Sequence, residues 1–373
     1  MAQKTGIATQ IGYVSEVTPG TAVTAGMTFL PLATGGLDKT IDFLESDAII
    51  AGRETDTSDM WALGAIKCGG PVGFELYNKN LRFLFKNMFG AESGSGPYTY
   101  TPGDLAGLAL TLQEGIPDLA GTVQPWTFTG CKISEWEIAV DEGQIATLGL
   151  DILAMNAWDV RTVADGVTNS TTAVTSATAV FGADDVGKPI SGSGIPSAAT
   201  IASVQSATAA TISAAATATA TSVTFTIGIA LATASYTSAL TPLHYVHSTL
   251  SVAGSAFKVK SAKIKGNNGF AERRFCGQRT TDEPLAEKKK VYTGELMAEF
   301  NNMTAYKRFV NGTEAALVIT ISNGTNSVVV TANVRHDGSK PKADLGLIQQ
   351  SIPFTCKASS TDASAITAVV STA

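Results

Sequence analysis

Two stretches of this 373-residue chain repeat one pattern of apolar and polar positions. Gly70, Glu75, Asn78 and Phe85 are separated by five, three and seven residues, and Gly294, Glu299, Asn302 and Phe309 keep those spacings. In each copy the Gly-to-Glu run reads as a short strand. The residues after the Asn read as an amphipathic helix ended by a glycine, Gly90 or Gly312. In the first helix Leu81, Leu84, Phe85 and Met88 share one stripe, while Lys79, Arg82 and Lys86 face water.

Strict alternation predicts strands elsewhere. Residues 37–45 put Leu37, Lys39, Ile41 and Phe43 on one face and Asp38, Thr40, Asp42 and Leu44 on the other. Within 126–140, Trp136, Ile138 and Val140 point one way, and Ile133, Glu135, Glu137 and Ala139 the other. After a turn at 141–143, the run 147–155 sends Leu148, Leu150 and Ile152 inward and Asp151 outward. This hairpin therefore has one apolar face and one acidic face.

Beyond residue 243 the first half restarts. Residues 248–257 echo 28–37, and 257–265 answer 37–45, with Lys258, Lys260, Lys263 and Lys265 where the first copy is mainly acidic. Gly277 and Arg279 stand where Gly52 and Arg53 stood. Long polar segments, 46–65 and 266–290, precede the two strand–helix units. Loops of that length inside a compact domain are more often functional than idle. The first, which contains Arg53 and Trp61, is read as a projection that packs on another subunit. Residues 12–21, with Tyr13 and a turn at Pro19-Gly20, read as an extended arm that stays mobile or lies on a neighbour.

Composition breaks abruptly at 162–228, which is almost wholly Ala, Thr, Ser, Val, Gly and Ile. Alternating β-branched residues, with Phe181 and Phe225, point to a small all-β module rather than a disordered linker. The expected organisation is a first half at 1–161, an inserted surface-exposed module at 162–228 and a second half at 229–373. With 16% charged and 7% aromatic residues, the chain as a whole is expected to be mainly β. Its first residues lack the apolar core of a signal peptide, and no apolar run approaches a membrane span, so cytoplasmic synthesis without membrane insertion is expected.

The net charge of −6 is unevenly spread. Residues 1–161 hold nine basic and nineteen acidic side chains, whereas 229–373 hold sixteen and ten. An acidic half and a basic half in one chain suggest head-to-tail attraction between copies.

Candidate chemistry is sparse. His244 and His247 form an HxxH pair without the helical HExxH of zinc proteases, and His336, beside Asp337, reads as a solvated turn residue. The four cysteines are far apart and read as buried free thiols. No nucleophile elbow, phosphate loop or dinucleotide motif occurs, and Glu135 with Glu137 reads as surface rather than an acid/base pair. The expectation is no enzyme, no cofactor, no metal and no specific nucleic-acid binding.

In order along the chain, Gly12-Tyr13-Val-Ser-Glu16-x-Thr18-x-Gly20-Thr21, the Gly-x-x-x-x-Glu strand with its helix, and Phe128-Thr-Gly130-Cys-Lys-Ile-Ser134 resemble major tail tube proteins of long-tailed bacteriophages. The resemblance covers most of 1–160 and 229–356. It implies an internally duplicated β-sandwich or barrel unit with a flanking helix in each half. Hairpins would join those of neighbours into a closed barrel, and rings would stack into a tube. The lumen would hold a tape-measure protein and later pass double-stranded DNA, with tail terminator and distal tail proteins as further partners. On this reading Glu135, Glu137, Asp151, Asp38 and Asp42 are lumen candidates. Tyr13, Arg53, Trp61, Lys258, Lys260, Lys263, Lys265 and Arg279 are inter-subunit candidates. Two units per chain favour rings of three chains over six. The rival reading is an adhesin or glycan-binding β protein with the module as its binding domain.

Overall fold

The computed structural model describes residues 6–48, 55, 57–338, 340–341, 348–359 and 364–371. The chain divides into two compact units.

The larger unit comprises residues 12–112, 128–156 and 234–373. At its centre lies one antiparallel sheet built from β1 (Asp38–Glu45), β2 (Trp61–Glu75), β3 (Val123–Asp141), β4 (Thr147–Ala154), β5 (Ser261–Asn267), β6 (Val291–Glu299), β7 (Ser327–His336) and β8 (Gln349–Cys356). Their order across the sheet is β1–β2–β4–β3–β5–β6–β8–β7. The strand order of the first half is thus repeated by the second, and the halves join where β3 pairs with β5.

The registers repeat as well as the order. Gly70 faces Ile152 and Glu75 faces Thr147, while Gly294 faces Phe354 and Glu299 faces Gln349. Ile152 in turn faces Ile133, and Phe354 faces His336. The duplication legible in the spacing of Gly, Glu and Asn is therefore a duplication of hydrogen-bonded stations.

One expected correspondence is shifted. Asp38 faces Gly69, one residue before Gly70, and Lys265 faces Thr293, one residue before Gly294. Lys265 is therefore the counterpart of Asp38, and Phe257 is not the counterpart of Leu37. Residues 255–257 are taken up by a hairpin with the strand Ser248–Val252, where Phe257 N–H donates to the Leu250 carbonyl.

Alternation divides the sheet into two faces. Trp136, Ile138, Leu148, Leu150, Ile264, Leu296, Ile352 and Phe354 are all buried on one of them. Ile133 belongs there too, with no exposure, although parity from Glu135 and Glu137 puts it on the opposite side. A register shift beside Asp151 and Ile152 leaves Ser134 as an extra residue in β3, and this bulge turns Ile133 inward.

A second layer is formed by Ser248–Val252, Ala315–Ser322, β7, Ile366–Ser371, Tyr98–Pro102 and Gly90–Ser93, paired in that order. Two helices flank the sheets, α1 (Arg82–Phe89) and α2 (Thr304–Asn311). Gly90 (φ 107°) closes the first and Gly312 (φ 63°) the second, as the sequence predicts. Phe85, Met88 and Phe89 of α1 have no exposure, and burial of each contributes about 1.5–3 kcal/mol.

The smaller unit comprises residues 6–11, 113–127 and 157–233. Here Ile190–Ser191, Thr219–Ile227, Arg161–Asn169, Ala173–Thr175, Ala209–Ile212 and Ile201–Ser206 form a six-stranded sheet in that order. Val174, Phe181, Ile190, Ile201, Ile212, Phe225 and Ile227 close its own core. Beside that core the buried Lys188 lies 3.1 Å from Asp185, with Asp159, Asp184 and Arg161 in the same charge cluster. A segment of almost uniformly small residues thus folds as a packed β module.

Candidate assembly surface

The polar face of the central sheet collects side chains from both halves. Glu135 and Glu137 of β3 and Asp151 of β4 alternate with buried positions, and Asp38, Thr40 and Asp42 of β1, with Asp38 opposite Gly69 and Thr40 opposite Lys67, share this face. All five lumen candidates therefore lie on one surface. They do not stand as bare carboxylates. Asp42 accepts from Lys67 at 3.0 Å, Glu137 from Lys265 at 2.6 Å and Glu135 from Asn267 at 2.6 Å, and Asp151 accepts from the Ser134 hydroxyl at 3.1 Å. The Glu137 carboxylate holds the Lys265 ammonium above the ordinary lysine range. A hollow of about 660 Å³ opens on this face over Gly73 and Gly149, with the Lys265–Glu137 pair at its rim.

The boundary between the halves is a continuous ladder. Seven consecutive residues of β5, from Ser261 to Asn267, are each paired with β3. On the polar face Lys263 approaches Asp141 at 4.0 Å, beside the Lys265–Glu137 pair. On the apolar face Phe89 of α1 packs on Trp136 (ring centroids 5.2 Å apart) and on Tyr292 of β6 (6.4 Å). The absence of a side chain at Gly266 makes room for Trp136, since a Cβ there would stand 2.2 Å from the indole. Asn268, fully buried, donates to the carbonyls of Ile133 and Met88, and Lys290 donates to those of Phe89 and Gly103. Two lysines therefore meet carboxylates on one side, and a helix from the first half covers the join on the other.

The second helix has no such cover. Phe309 occupies the position of Phe85 but is 38% exposed, against none for Phe85. Met303 and Val310 are also exposed. A second apolar patch lies at the end of the β1–β2 hairpin, where Phe43, Trp61 and Leu63 share a face and are exposed; the Phe43 and Trp61 rings meet edge to face at 5.6 Å. The sequence places Trp61 in a polar loop, but β2 begins at Trp61 because residues 61–63 pair with β1.

The contact candidates are sorted by this geometry. Tyr13 is fully buried in its own chain, and its hydroxyl donates to the Asn80 carbonyl, so it offers no outward side chain. The N-terminal arm is likewise committed within the chain. Tyr13 pairs with Thr28, and the Glu16 carboxylate, raised by burial above the usual range, accepts from Gly20, Gly130 and the Thr111 hydroxyl. Arg279 donates to the Gly64 carbonyl while its own carbonyl accepts from Ile66, tying the 274–281 segment to β2. Lys260 lies 3.6 Å from Glu299, and Lys263 and Lys265 serve the internal boundary. Lys258 is exposed, and Arg53 lies outside the described residues.

Among the described residues no cluster of three metal-ligating side chains occurs. The His244 and His247 rings lie 3.8 Å apart beside a 3-10 turn. His336 is buried at the end of β7 rather than solvated, and burial lowers its basicity. Cys68, Cys131 and Cys356 are buried, but Cys276 is exposed.

A chain that repeats one strand order twice and matches a single family twice is a tandem unit. Residues 6–256, and again 207–356, match the phage tail tube protein family. This chain belongs to that family. No curated protein matches it significantly. As a tail tube protein it is a structural component of the virion that assembles with itself into a tube. Its fold is the internally duplicated, mainly β tube unit with a flanking helix in each half. No helix among the described residues is long and apolar enough to cross a membrane.

Proposed function

We propose that this chain forms rings of three copies in the tail of a long-tailed phage. Each copy supplies two units of a pseudo-sixfold barrel, and the stacked rings enclose the tape-measure protein and then conduct the genome. The observation that carries the reading is the order β1–β2–β4–β3 followed by β5–β6–β8–β7, two equivalent four-strand units already fused edge to edge inside one chain. Three such pairs supply six units, whereas six chains would supply twelve.

On this reading the polar face of the sheet faces the lumen. Carboxylates there repel the phosphate backbone, so a polyanion slides without being held. Lys67, Lys263 and Lys265 on that face each lie beside a carboxylate, Asp42, Asp141 and Glu137. The inserted β module stays on the outside of the tube, the chain assembles in the host cytoplasm, and tail terminator and distal tail proteins cap the ends. The exposed Phe43–Trp61–Leu63 patch meets a neighbouring copy.

Negative-stain microscopy of the purified chain, with native mass measurement of single rings, tests this reading. Hollow tubes or rings of three chains are expected. Rings of six chains, or a sheet face without a lumen in an assembled tube, overturn it.

A further inference from the structure

The helix that covers the boundary inside the chain has an uncovered counterpart. We propose that α2 of one copy packs across the β1–β2 hairpin of a second copy, setting Phe309 and Val310 against Ile41 and Leu44. This inference rests on the ring reading above and names a contact that closes the ring.

Inside the chain α1 leaves its own half and lies over one end of the β5–β6 pair. Phe89 packs on Tyr292, Asn268 donates to the Met88 carbonyl, and Lys290 donates to that of Phe89. The β1–β2 pair repeats the β5–β6 pair station by station. Lys39 faces Cys68 and Thr40 faces Lys67, as Gly266 faces Tyr292 and Asn267 faces Val291. Ile41 and Ile66, the next facing pair, therefore stand where Asn268 and Lys290 meet α1. On the same side of the hairpin Leu44 faces Ala62 and is 61% exposed, whereas Phe43, Trp61 and Leu63 lie on the other side. In its own chain α2 lies against β7, at the opposite end of the sheet order from β1. Because α1 already covers β5–β6, the equivalent surface left for α2 is the β1–β2 pair of a second copy.

The charges on the two surfaces are opposite. α2 carries Lys307 and Arg308 and no acid. Among the described residues 43–48 and 57–63 of the hairpin, Glu45, Asp47 and Asp59 are exposed and no base occurs. Opposite potentials favour this pairing over helix on helix or hairpin on hairpin, each of which would oppose like charges. The contact also covers apolar surface on both partners, since Phe309, Val310 and Leu44 are all exposed in the single chain. Helix on hairpin is a heterologous contact, which closes copies into a ring in one rotational sense.

The test uses the full chain in a Cys276→Ser background, where the remaining cysteines are buried. Leu44→Cys combined with Val310→Cys, assembled and treated with a short bismaleimide, should give a ladder of covalent multimers that stops at the number of chains in the ring. Either cysteine alone should give none. Lys307→Glu with Arg308→Glu should raise the concentration needed for ring formation about tenfold or more. Adding Glu45→Lys and Asp47→Lys to that variant should restore it. If the helix variant forms rings at the wild-type concentration, or the double cysteine variant gives no multimers within intact rings, the proposed contact is wrong while the tube reading stands. A ladder that runs on past the ring would place the contact between stacked rings and overturn it as well. If the wild-type chain itself forms neither rings nor tubes, the tube reading fails.

Discussion

Lys265 donates to Glu137 at 2.6 Å across the strand pair that joins the two halves of the chain. Both side chains are substantially exposed, so the pair itself contributes at most about 1 kcal/mol. The backbone ladder and the aromatic packing beneath it hold the boundary, and the charges fix which strand lies there. Lys265→Ala should therefore shift the urea midpoint by less than about 1 kcal/mol equivalent. A loss several times larger would show that the pair carries the boundary.

Gly266 should behave in the opposite way. Any side chain there meets the Trp136 indole, whose ring is also packed against Phe89 and Tyr292. Gly266→Ala is expected to cost about 1–3 kcal/mol by overpacking. Equilibrium unfolding followed by tryptophan emission measures it directly, and a neutral result would mean that the ring has room to shift.

The two helices occupy equivalent positions but differ in burial. Phe85→Ala should cost the free chain about 3–5 kcal/mol, because it empties a site with no exposure. Phe309→Ala should cost under about 1 kcal/mol in the free chain and should impair ring formation instead. Denaturation and sedimentation of the same two variants separate these effects.

Lys290 provides a pH signature. Burial beside the Phe89 and Gly103 carbonyls lowers its amine to about 8, against about 10.4 in an unfolded chain. Between those values the unfolded chain holds more protons, so stability rises with pH through that window; the gain is complete above about 10.4 and is lost as pH falls back to about 8. The wild type should gain stability relative to Lys290→Met between about pH 8 and 10. Parallel curves for the two proteins would show that the amine is not desolvated.

In the smaller unit Asp185 works in the other direction. Burial opposes its ionisation, but Arg161, the Gly182 amide and Lys188 outweigh that cost and hold it below the usual aspartate range. Its contribution is complete above about pH 4 and is lost as pH falls through the lowered value. Asp185→Asn should flatten the acid limb of thermal unfolding and, with Lys188 still paired to Asp159 and Asp184, cost about 1–3 kcal/mol near neutral pH.

The sequence by itself determined what depends on local spacing. The repeated Gly, Glu, Asn and Phe positions announced the duplication, because each copy must place a strand, a turn and a helix at the same intervals. Gly90 and Gly312 marked the helix ends, and alternation separated Glu135, Glu137 and Asp151 from their buried neighbours. It also sorted the chain into an acidic and a basic half, although the first place where these meet is inside the chain.

Only the tertiary structure decided the rest. Period-two patterns cannot reveal a bulge, so Ile133 changed face at Ser134. Sequence echoes cannot fix a register when a hairpin absorbs residues, so Lys265 rather than Lys258 proved to be the counterpart of Asp38. Tyr13 and Arg279 look exposed and polar in sequence, yet their partners Asn80 and Gly64 are remote along the chain and are brought to them by folding. Which charges are neighbours is a property of the pairing of strands, and pairing is a long-range choice that local patterns constrain but do not make.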